Sequence, residues 1–188
     1  MMDSDQFRAQ VRALLKAGEG SIPWMYLDTV GKVTVGVGNM LPDVAAAQAL
    51  AFVDANGAAA SAVRIEGDYR AVASLPAGKV ARVYRHVTTV RLTESGIDDL
   101  LDARITEFET GLRRLFPDFD AFPDPARMGV LDMAFNLGLH GLETKFPSFC
   151  RNVRNRDWLG CAQQCHRRGI SDARNQEVEH LFTVAAKS

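Results

Sequence analysis

The chain has 188 residues, of which 47% are hydrophobic and 24% are charged, and these are the proportions of an ordinary globular protein. They argue against a disordered, collagen-like or coiled-coil chain. The length favours a single domain over residues 1–188, with room for two lobes. The 22 basic and 23 acidic side chains give a net charge of −1, which argues against nucleic acid as a partner.

No stretch of the sequence reads as a signal peptide or a membrane span. Residues 1–20 never reach an uninterrupted apolar run, and the best later candidate, 44–63, is mostly alanine and is broken by polar residues and Gly57. We therefore expect a protein that is made in the cytoplasm without a signal peptide and has no membrane partner.

The three cysteines, Cys150, Cys161 and Cys165, form an odd set in one late segment, which is unlike a disulfide framework. Cys161 and Cys165 stand four residues apart beside His166, but one such pair without a second ligand pair is a weak signal for zinc. We expect buried thiols and no metal. The same region, 151–168, holds five arginines that predict either a solvated helix surface or a basic end that attracts anionic polymers.

The first predicted helix begins at Asp3 or Ser4, since either side chain can accept a hydrogen bond at a helix N-terminus. Apolar residues then recur at helical spacing, and Gly18 is predicted to end the helix, which puts Glu19 just past it. These apolar residues are Phe7, Val11, Leu14 and Leu15.

Residues 25–40 change to a period of two, with valines at 33, 35 and 37 after a turn-like 29–32, and this pattern predicts a small β-hairpin. From 41 to 92 the pattern is weak: an alanine-rich helical piece lies near 44–53, and Gly57 breaks it. We expect little regular structure in the rest of 41–92, and we expect this stretch to lie on the N-terminal lobe.

Thr93 is the predicted N-cap of a long helix that Pro117 stops, because apolar residues step by three and four between them. The remaining chain reads as helices only. One is predicted from Asp124 to Gly138, one from Pro147, one over 156–168 ended by Gly169, and one that Ser171 caps. The fold class is therefore α+β.

Two carboxylates and a hydroxyl lie close together in the N-terminal part of the sequence: Glu19, Asp28 and Thr34. Glycoside hydrolysis needs one carboxyl group that donates a proton to the leaving oxygen and a second, ionised one that activates water or stabilises the cationic centre. The spacing alone is also compatible with a helix-end glutamate and an aspartate that shapes a turn.

The residues around these groups resemble a known family. The segments 18–20, 26–29 and 33–39 are similar in order and spacing to the active-site segment of the T-even phage lysozymes, glycoside hydrolase family 24. The resemblance implies Glu19 as the general acid, Asp28 as the second carboxylate and Thr34 as the hydroxyl that positions the attacking water. It also implies that Gly38 and Met40 bind substrate.

Two later segments extend the resemblance. Residues 131–138 are similar to the family's central buried helix, which implies that Phe135 and Asn136 line the saccharide cleft. By residue type alone, Phe135 is equally compatible with core packing. Residues 171–175 are similar to the start of the family's last long helix, where an arginine pairs with the catalytic glutamate, and Arg174 takes that place.

The resemblance implies a lysozyme-like fold: a small N-terminal lobe with a hairpin, a long connecting helix, and an all-helical C-terminal lobe, with the lobes at about 1–92 and 93–188. It implies an inverting N-acetylmuramidase, a bacteriolytic hydrolase that needs no cofactor. Residues 41–92 are longer than the family's corresponding region and are expected to edge the cleft. Asn39 also departs from the pattern, since close relatives carry a histidine there.

The expected partner is bacterial peptidoglycan, which the enzyme would meet in the periplasm as a monomer. An endolysin released through holin pores and an antibacterial effector delivered by a secretion system are both compatible with the sequence, and an effector would have an inhibitor or immunity protein. The alternative from another class is a wall-binding module of a phage tail or secretion apparatus that keeps the fold without catalysis.

Overall fold

The computed structural model describes residues 2–188, and it confirms the α+β class: an antiparallel three-stranded sheet near the N-terminus, a long helix, and a largely helical C-terminal region. The chain divides into two compact units. The sheet unit is Leu15–Asp102, and the helical unit is the chain up to Leu14 together with Ala103–Ser188. The division falls within the long helix, later than the sequence interpretation placed it.

In chain order the elements are α1 (Ser4–Glu19), β1 (Ile22–Leu27), β2 (Val33–Gly36), β3 (Asn39–Met40), α2 (Val44–Gln48), β4 (Phe52–Val53), α3 (Ala62–Ala73), a 3-10 helix (Ala81–Val87), β5 (Arg91–Leu92), α4 (Glu94–Leu115), a short 3-10 turn (Phe119–Ala121), α5 (Asp124–Lys145), α6 (Pro147–Arg154), α7 (Trp158–Gln164) and α8 (Asp172–Ala185).

The predicted hairpin is present in the sheet unit and has a third strand. The strand order is β1-β2-β3, with both pairs antiparallel, so β2 lies in the centre. All four residues of β2 are buried, although the alternating sequence predicts only one buried face. The reason is that Thr34 and Gly36, the polar and small positions of the pattern, are also covered by neighbouring structure.

The expectation of little regular structure in 41–92 is wrong. This stretch forms α2, β4, α3, the longer 3-10 helix and β5, and all of it belongs to the sheet unit, as predicted. Asp43 and Ser61 cap the two helices by accepting from the amides of Ala46 and Arg64. The apolar pattern is weak because α3 buries one narrow stripe, in which Asp68 takes the place of an apolar residue.

The end of α1 also differs from the prediction. Gly18 lies inside the helix, and Glu19 is its last residue. The helix ends at Gly20, whose φ of +80° is the left-handed conformation and whose amide donates to the Lys16 carbonyl at 3.0 Å. At the other end, Asp3 is the cap, since its Oδ1 accepts from the Gln6 amide at 2.8 Å.

The long helix is confirmed. The hydroxyl of Thr93 accepts from the Gly96 amide at 3.1 Å, and α4 then runs for 22 residues to Leu115, two residues before Pro117. Its buried apolar residues follow the predicted spacing and are Ile97, Leu101, Ile105 and Leu112.

The C-terminal helices agree with the sequence interpretation except at α5 and α7. The helix predicted to end at Gly138 is interrupted there, with φ 71° and ψ 157°, but α5 continues to Lys145. Ser171 caps α8 through the Arg174 amide, as predicted. The helix predicted over 156–168 is only Trp158–Gln164. It ends early because the next residues turn inward, which buries Arg167 to 1% exposure and removes it from the expected basic surface.

A buried ionic cluster joins three parts of the helical unit. Asp132 of α5 is fully buried, and its Oδ1 accepts from Nη2 and Nε of Arg174, at 2.8 and 3.2 Å. Arg167 makes an ion pair with Oδ2 at 2.7 Å, without hydrogen-bond geometry, and donates to the Asp132 carbonyl. Asn175 holds the backbone of Arg167 by accepting from its N–H and donating to its C=O. Asp132 thus bonds α8 and the 165–170 turn to α5.

The three cysteines are free and buried, as predicted. Burial raises the pKa of the Cys161 thiol to about 12 and of the Cys165 thiol to about 11. Within residues 2–188, no three His, Cys, Asp or Glu side chains group as a metal site requires, and no helix is long and apolar enough to cross a membrane.

We expect Asp132→Asn to lower the free energy of unfolding by about 3–5 kcal/mol, because it leaves two buried guanidinium groups facing a neutral amide. The matched control is Asp120→Asn, which removes an exposed partner of Arg113 and should cost about 0–1 kcal/mol. Urea unfolding followed by the fluorescence of Trp158, which lies in the same unit, measures both. Equal losses would contradict a structural role for the buried cluster.

Candidate active site

The first carboxylate, Glu19, is the last residue of α1 and is exposed. Its place follows from the sequence after it, because Gly20 adopts the positive φ that lets the chain leave the helix. The chain then enters β1 after two residues. The general-acid candidate therefore lies where the helix meets the sheet within the sheet unit.

Asp28 follows β1 and shapes the turn that leads to β2. Its Oδ1 accepts from the amides of Val30 and Lys32, at 3.0 and 2.8 Å. Its own amide donates to the Lys32 carbonyl at 2.9 Å, which closes the turn. Within residues 2–188, no hydrogen bond is made to Oδ2. The carboxylate is thus fixed by one oxygen, and the other remains able to accept a proton or a water.

Thr34 is buried to 3% exposure in the central strand. Its hydroxyl donates to the Lys32 carbonyl at 3.0 Å, so its remaining lone pairs can only accept. The strand register pairs Thr34 with Tyr26 on one side and Met40 on the other. Since paired residues share a face of a sheet, these side chains form one row. Asp28 lies beyond the end of β1, in the turn that leads to β2.

The phenol of Tyr26 is influenced by the charges of both carboxylates, and its residue type alone predicts no role for it. The pKa of its phenol is raised by three causes: burial is the largest, the negative charge of Asp28 is the second, and that of Glu19 is the third. Both carboxylates therefore act on the same phenol. Its position in the segment between Glu19 and Thr34 was the only sequence signal that could have singled it out.

Two predicted substrate-binding residues lie in the sheet unit. Met40 is 50% exposed and belongs to the row that contains Thr34. Gly38 is exposed and has a φ of +67°, a conformation that other residues rarely adopt. The roles of both residues stay predictions.

The other predicted residues belong to the helical unit. Phe135 is 7% exposed and packs against Phe108, with ring centroids 5.3 Å apart, so core packing accounts for its burial. The Arg104 guanidinium lies 5.0 Å from its ring. Asn136 is partly exposed. Arg174 is buried against Asp132, and the pairing with Glu19 that the resemblance implies stays a prediction.

The sheet unit thus combines the groups that an acid–base hydrolysis needs. Glu19 is a carboxyl group that can carry a donatable proton. Asp28 is a carboxylate with one oxygen held and one open. Thr34 is a hydroxyl whose proton is already donated and which can accept a further hydrogen bond. Such a set can protonate one atom of a substrate and direct a water to another.

We expect Asp28→Asn to lower the raised pKa of the Tyr26 phenol more than Glu19→Gln does, because Asp28 contributes more to the shift. Ultraviolet titration resolves the phenols, and Tyr26→Phe identifies the step that belongs to Tyr26. Because the fold favours the neutral phenol, Tyr26 contributes to the free energy of unfolding at pH values below the ordinary tyrosine pKa of about 10. This contribution is lost as the pH rises from there through the raised pKa of Tyr26. If the Tyr26 pKa is the same in both carboxylate variants as in the unaltered chain, Tyr26 is not coupled to Asp28 and Glu19.

No protein-family model matches the chain, and no curated protein matches its sequence significantly.

Proposed function

We propose that the chain is a peptidoglycan hydrolase that cleaves the β-1,4 bond between N-acetylmuramic acid and N-acetylglucosamine, a lysozyme in activity. The observation that carries the proposal is that Glu19 and Asp28 lie in one compact unit and that the negative charge of each raises the pKa of the Tyr26 phenol. A pair of carboxyl groups around one point is the minimum requirement for glycoside hydrolysis.

In this mechanism Glu19 gives its proton to the bridging oxygen as the glycosidic bond breaks. A water held by the open oxygen of Asp28 and by the Thr34 hydroxyl attacks the anomeric carbon from the opposite face. The proton lost by that water passes to Asp28. Solvent then restores the proton on Glu19 and removes the one on Asp28. Because water attacks directly, the product should have an inverted anomeric configuration.

The local geometry of Asp28 leaves room for this role beside its structural one. A turn needs an acceptor for the amides of Val30 and Lys32, and Oδ1 alone meets that need. An ionised carboxylate with an open second oxygen, fixed in orientation by backbone groups, suits a base that must hold a water without moving.

The biological setting follows from the activity. An enzyme of this kind would act on the wall in the periplasm, either as an endolysin or as an antibacterial effector. An effector would be matched by an inhibitor or immunity protein in the producing cell. The gene neighbourhood separates the two, since a holin gene favours the first setting and an inhibitor or secretion-spike gene favours the second.

We expect Glu19→Gln to reduce wall hydrolysis by about a hundredfold or more, because glutamine keeps the shape and has no proton to donate. The matched control is Glu66→Gln on α3, which removes only a salt bridge to Arg70 in the same unit and should leave the rate near normal. Release of soluble muropeptides from purified peptidoglycan measures both. Near-normal turnover by Glu19→Gln would reject the mechanism, and an inactive unaltered chain would favour a wall-binding module.

The role of the Thr34 hydroxyl can be tested by two small substitutions. Thr34→Ser keeps the hydroxyl and should retain most of the activity. Thr34→Val keeps the shape of a buried strand residue and should lower kcat about tenfold or more with little change in KM, because positioning of the water is needed only in the reacting complex. Equal kcat in the two variants would mean that Thr34 is only a strand residue.

A further inference from the structure

A cavity lined by arginines opens on the sheet unit, and none of the residues of the proposed mechanism belongs to its wall. It has a volume of about 470 Å³, and its wall includes Arg64 of α3, Arg85 of the 3-10 helix, Arg91 of β5 and the indole of Trp24 on β1. We refer to it as the arginine cavity. Three guanidinium groups on one concavity are unexpected in a chain with a net charge of −1.

The charge in the arginine cavity is only partly balanced. Arg64 pairs with Asp54 at 3.3 Å. Within residues 2–188, Arg85 and Arg91 make no ion pair with a carboxylate, and Arg85 instead lies 5.2 Å from the centre of the Trp24 ring. Two guanidinium groups thus remain free to receive an anion.

The aromatic wall of the arginine cavity is fixed in place. The indole Nε1 of Trp24 donates to the Ala81 carbonyl at 3.0 Å, which anchors its ring beside the 3-10 helix. An indole held in this way offers a flat apolar surface next to cationic groups, and that combination suits a ligand with both an apolar part and a charged part.

The opposite wall, 88–91, is held by a buried carboxylate. Asp68 of α3 is 5% exposed, and it accepts from the amides of Thr89 and Val90, at 2.6 and 2.8 Å, and from the Thr89 hydroxyl at 3.1 Å. Burying a carboxylate is costly unless it is fully hydrogen-bonded. Here it fixes the backbone next to Arg91, whereas the side chains of Arg64, Arg85 and Arg91 themselves are exposed.

A second cavity, of about 500 Å³, shares Pro23 and Arg91 with the arginine cavity, so the two lie side by side. Its wall includes Ser21, which follows the proposed proton donor Glu19 by two residues. The two cavities therefore adjoin each other within the sheet unit that also carries Glu19. A polymer that reacts at Glu19 would have to extend over this surface for a side branch to enter the arginine cavity.

We propose that the arginine cavity binds the free carboxylates of the peptide stems that branch from peptidoglycan strands. The proposal rests on the proposed function and names the part of the substrate that this surface recognises. Arginine forks bind carboxylates with two parallel hydrogen bonds, and stem peptides combine carboxylates with short aliphatic side chains that can pack on the Trp24 indole.

The shape of the surface favours a branch of the substrate over a partner protein. Sites for small groups are concave and largely preformed, whereas protein interfaces of useful strength bury about 800 Å² on each partner. The arginine cavity, with a volume of about 470 Å³, a fixed indole and a backbone wall held by Asp68, is of the size and shape of a site for a small group.

The test measures binding without turnover. In the Glu19→Gln background with Trp158→Phe, Trp24 is the only tryptophan, because the chain has two. Its fluorescence is followed during titration with a soluble disaccharide–tetrapeptide. The comparison ligands are the same disaccharide without the peptide, the disaccharide–tetrapeptide with its carboxylates amidated, and inorganic phosphate. Calorimetry on Glu19→Gln alone repeats the titration if Trp158→Phe fails to fold.

We expect the disaccharide–tetrapeptide to change the Trp24 signal and the other ligands to bind about tenfold or more weakly. The double substitution Arg85→Gln with Arg91→Gln should raise the Kd for the disaccharide–tetrapeptide about tenfold or more. The matched control is Arg82→Gln, which alters an exposed arginine of the same 3-10 helix outside the cavity wall and should leave the Kd within about twofold.

Several results would overturn the inference: equal binding of the amidated or peptide-free fragment, equal binding of phosphate, or an unchanged Kd in the double variant. Wall hydrolysis by the unaltered chain is measured separately. Hydrolysis without fragment binding rejects the carboxylate site and keeps the proposed function. Fragment binding that depends on Arg85 and Arg91, without hydrolysis, keeps the site and rejects the proposed function.

Discussion

The arrangement of the C-terminal helices depends on one buried carboxylate. Asp132 neutralises two guanidinium groups from different parts of the chain, and all three side chains are almost completely removed from water. Such charges are stable inside a protein only in a geometry that pairs them, so packings of α8 against α5 that separate Arg174 from Asp132 are strongly disfavoured. Apolar contacts alone would tolerate small shifts between these helices. The ionic cluster therefore gives the helical unit a specific arrangement and holds Arg174 at a defined place.

In the sheet unit, Asp28 has a structural task that occupies one of its two oxygens, and the proposed mechanism uses the other. Oδ1 organises the turn between β1 and β2 through two backbone amides, which fixes the plane of the carboxylate. A side chain fixed in this way loses little further entropy when it holds a water or a substrate. The buried hydroxyl of Thr34, whose proton is already donated to Lys32, is preorganised for the same reason. The site is thus held by the backbone of the turn that connects its strands.

The sequence predicted the elements whose signals are local. Thr93, Ser171 and Asp3 cap the helices as expected. Glu19 lies where α1 leads into the sheet, and Asp28 lies in the predicted turn of the hairpin. The failures involve tertiary contacts. Asp68 and Arg167 are polar residues at buried positions, so the periodicity of apolar residues missed α3 and extended α7 too far. The arginine cavity has no sequence motif either, because α3, the 3-10 helix and β5 each contribute one arginine that is ordinary by itself.

The burial of the three thiols has a consequence for the covalent chemistry of the chain. Burial raises the pKa of all three thiols, of Cys161 to about 12 and of Cys165 to about 11, so very little thiolate is present at neutral pH. The thiolate is the form that attacks disulfides and reacts with oxidants, and the protein interior also blocks access to these sulfurs. The folded chain should therefore keep the same covalent structure in reducing and in oxidising surroundings, without a reductant to protect it.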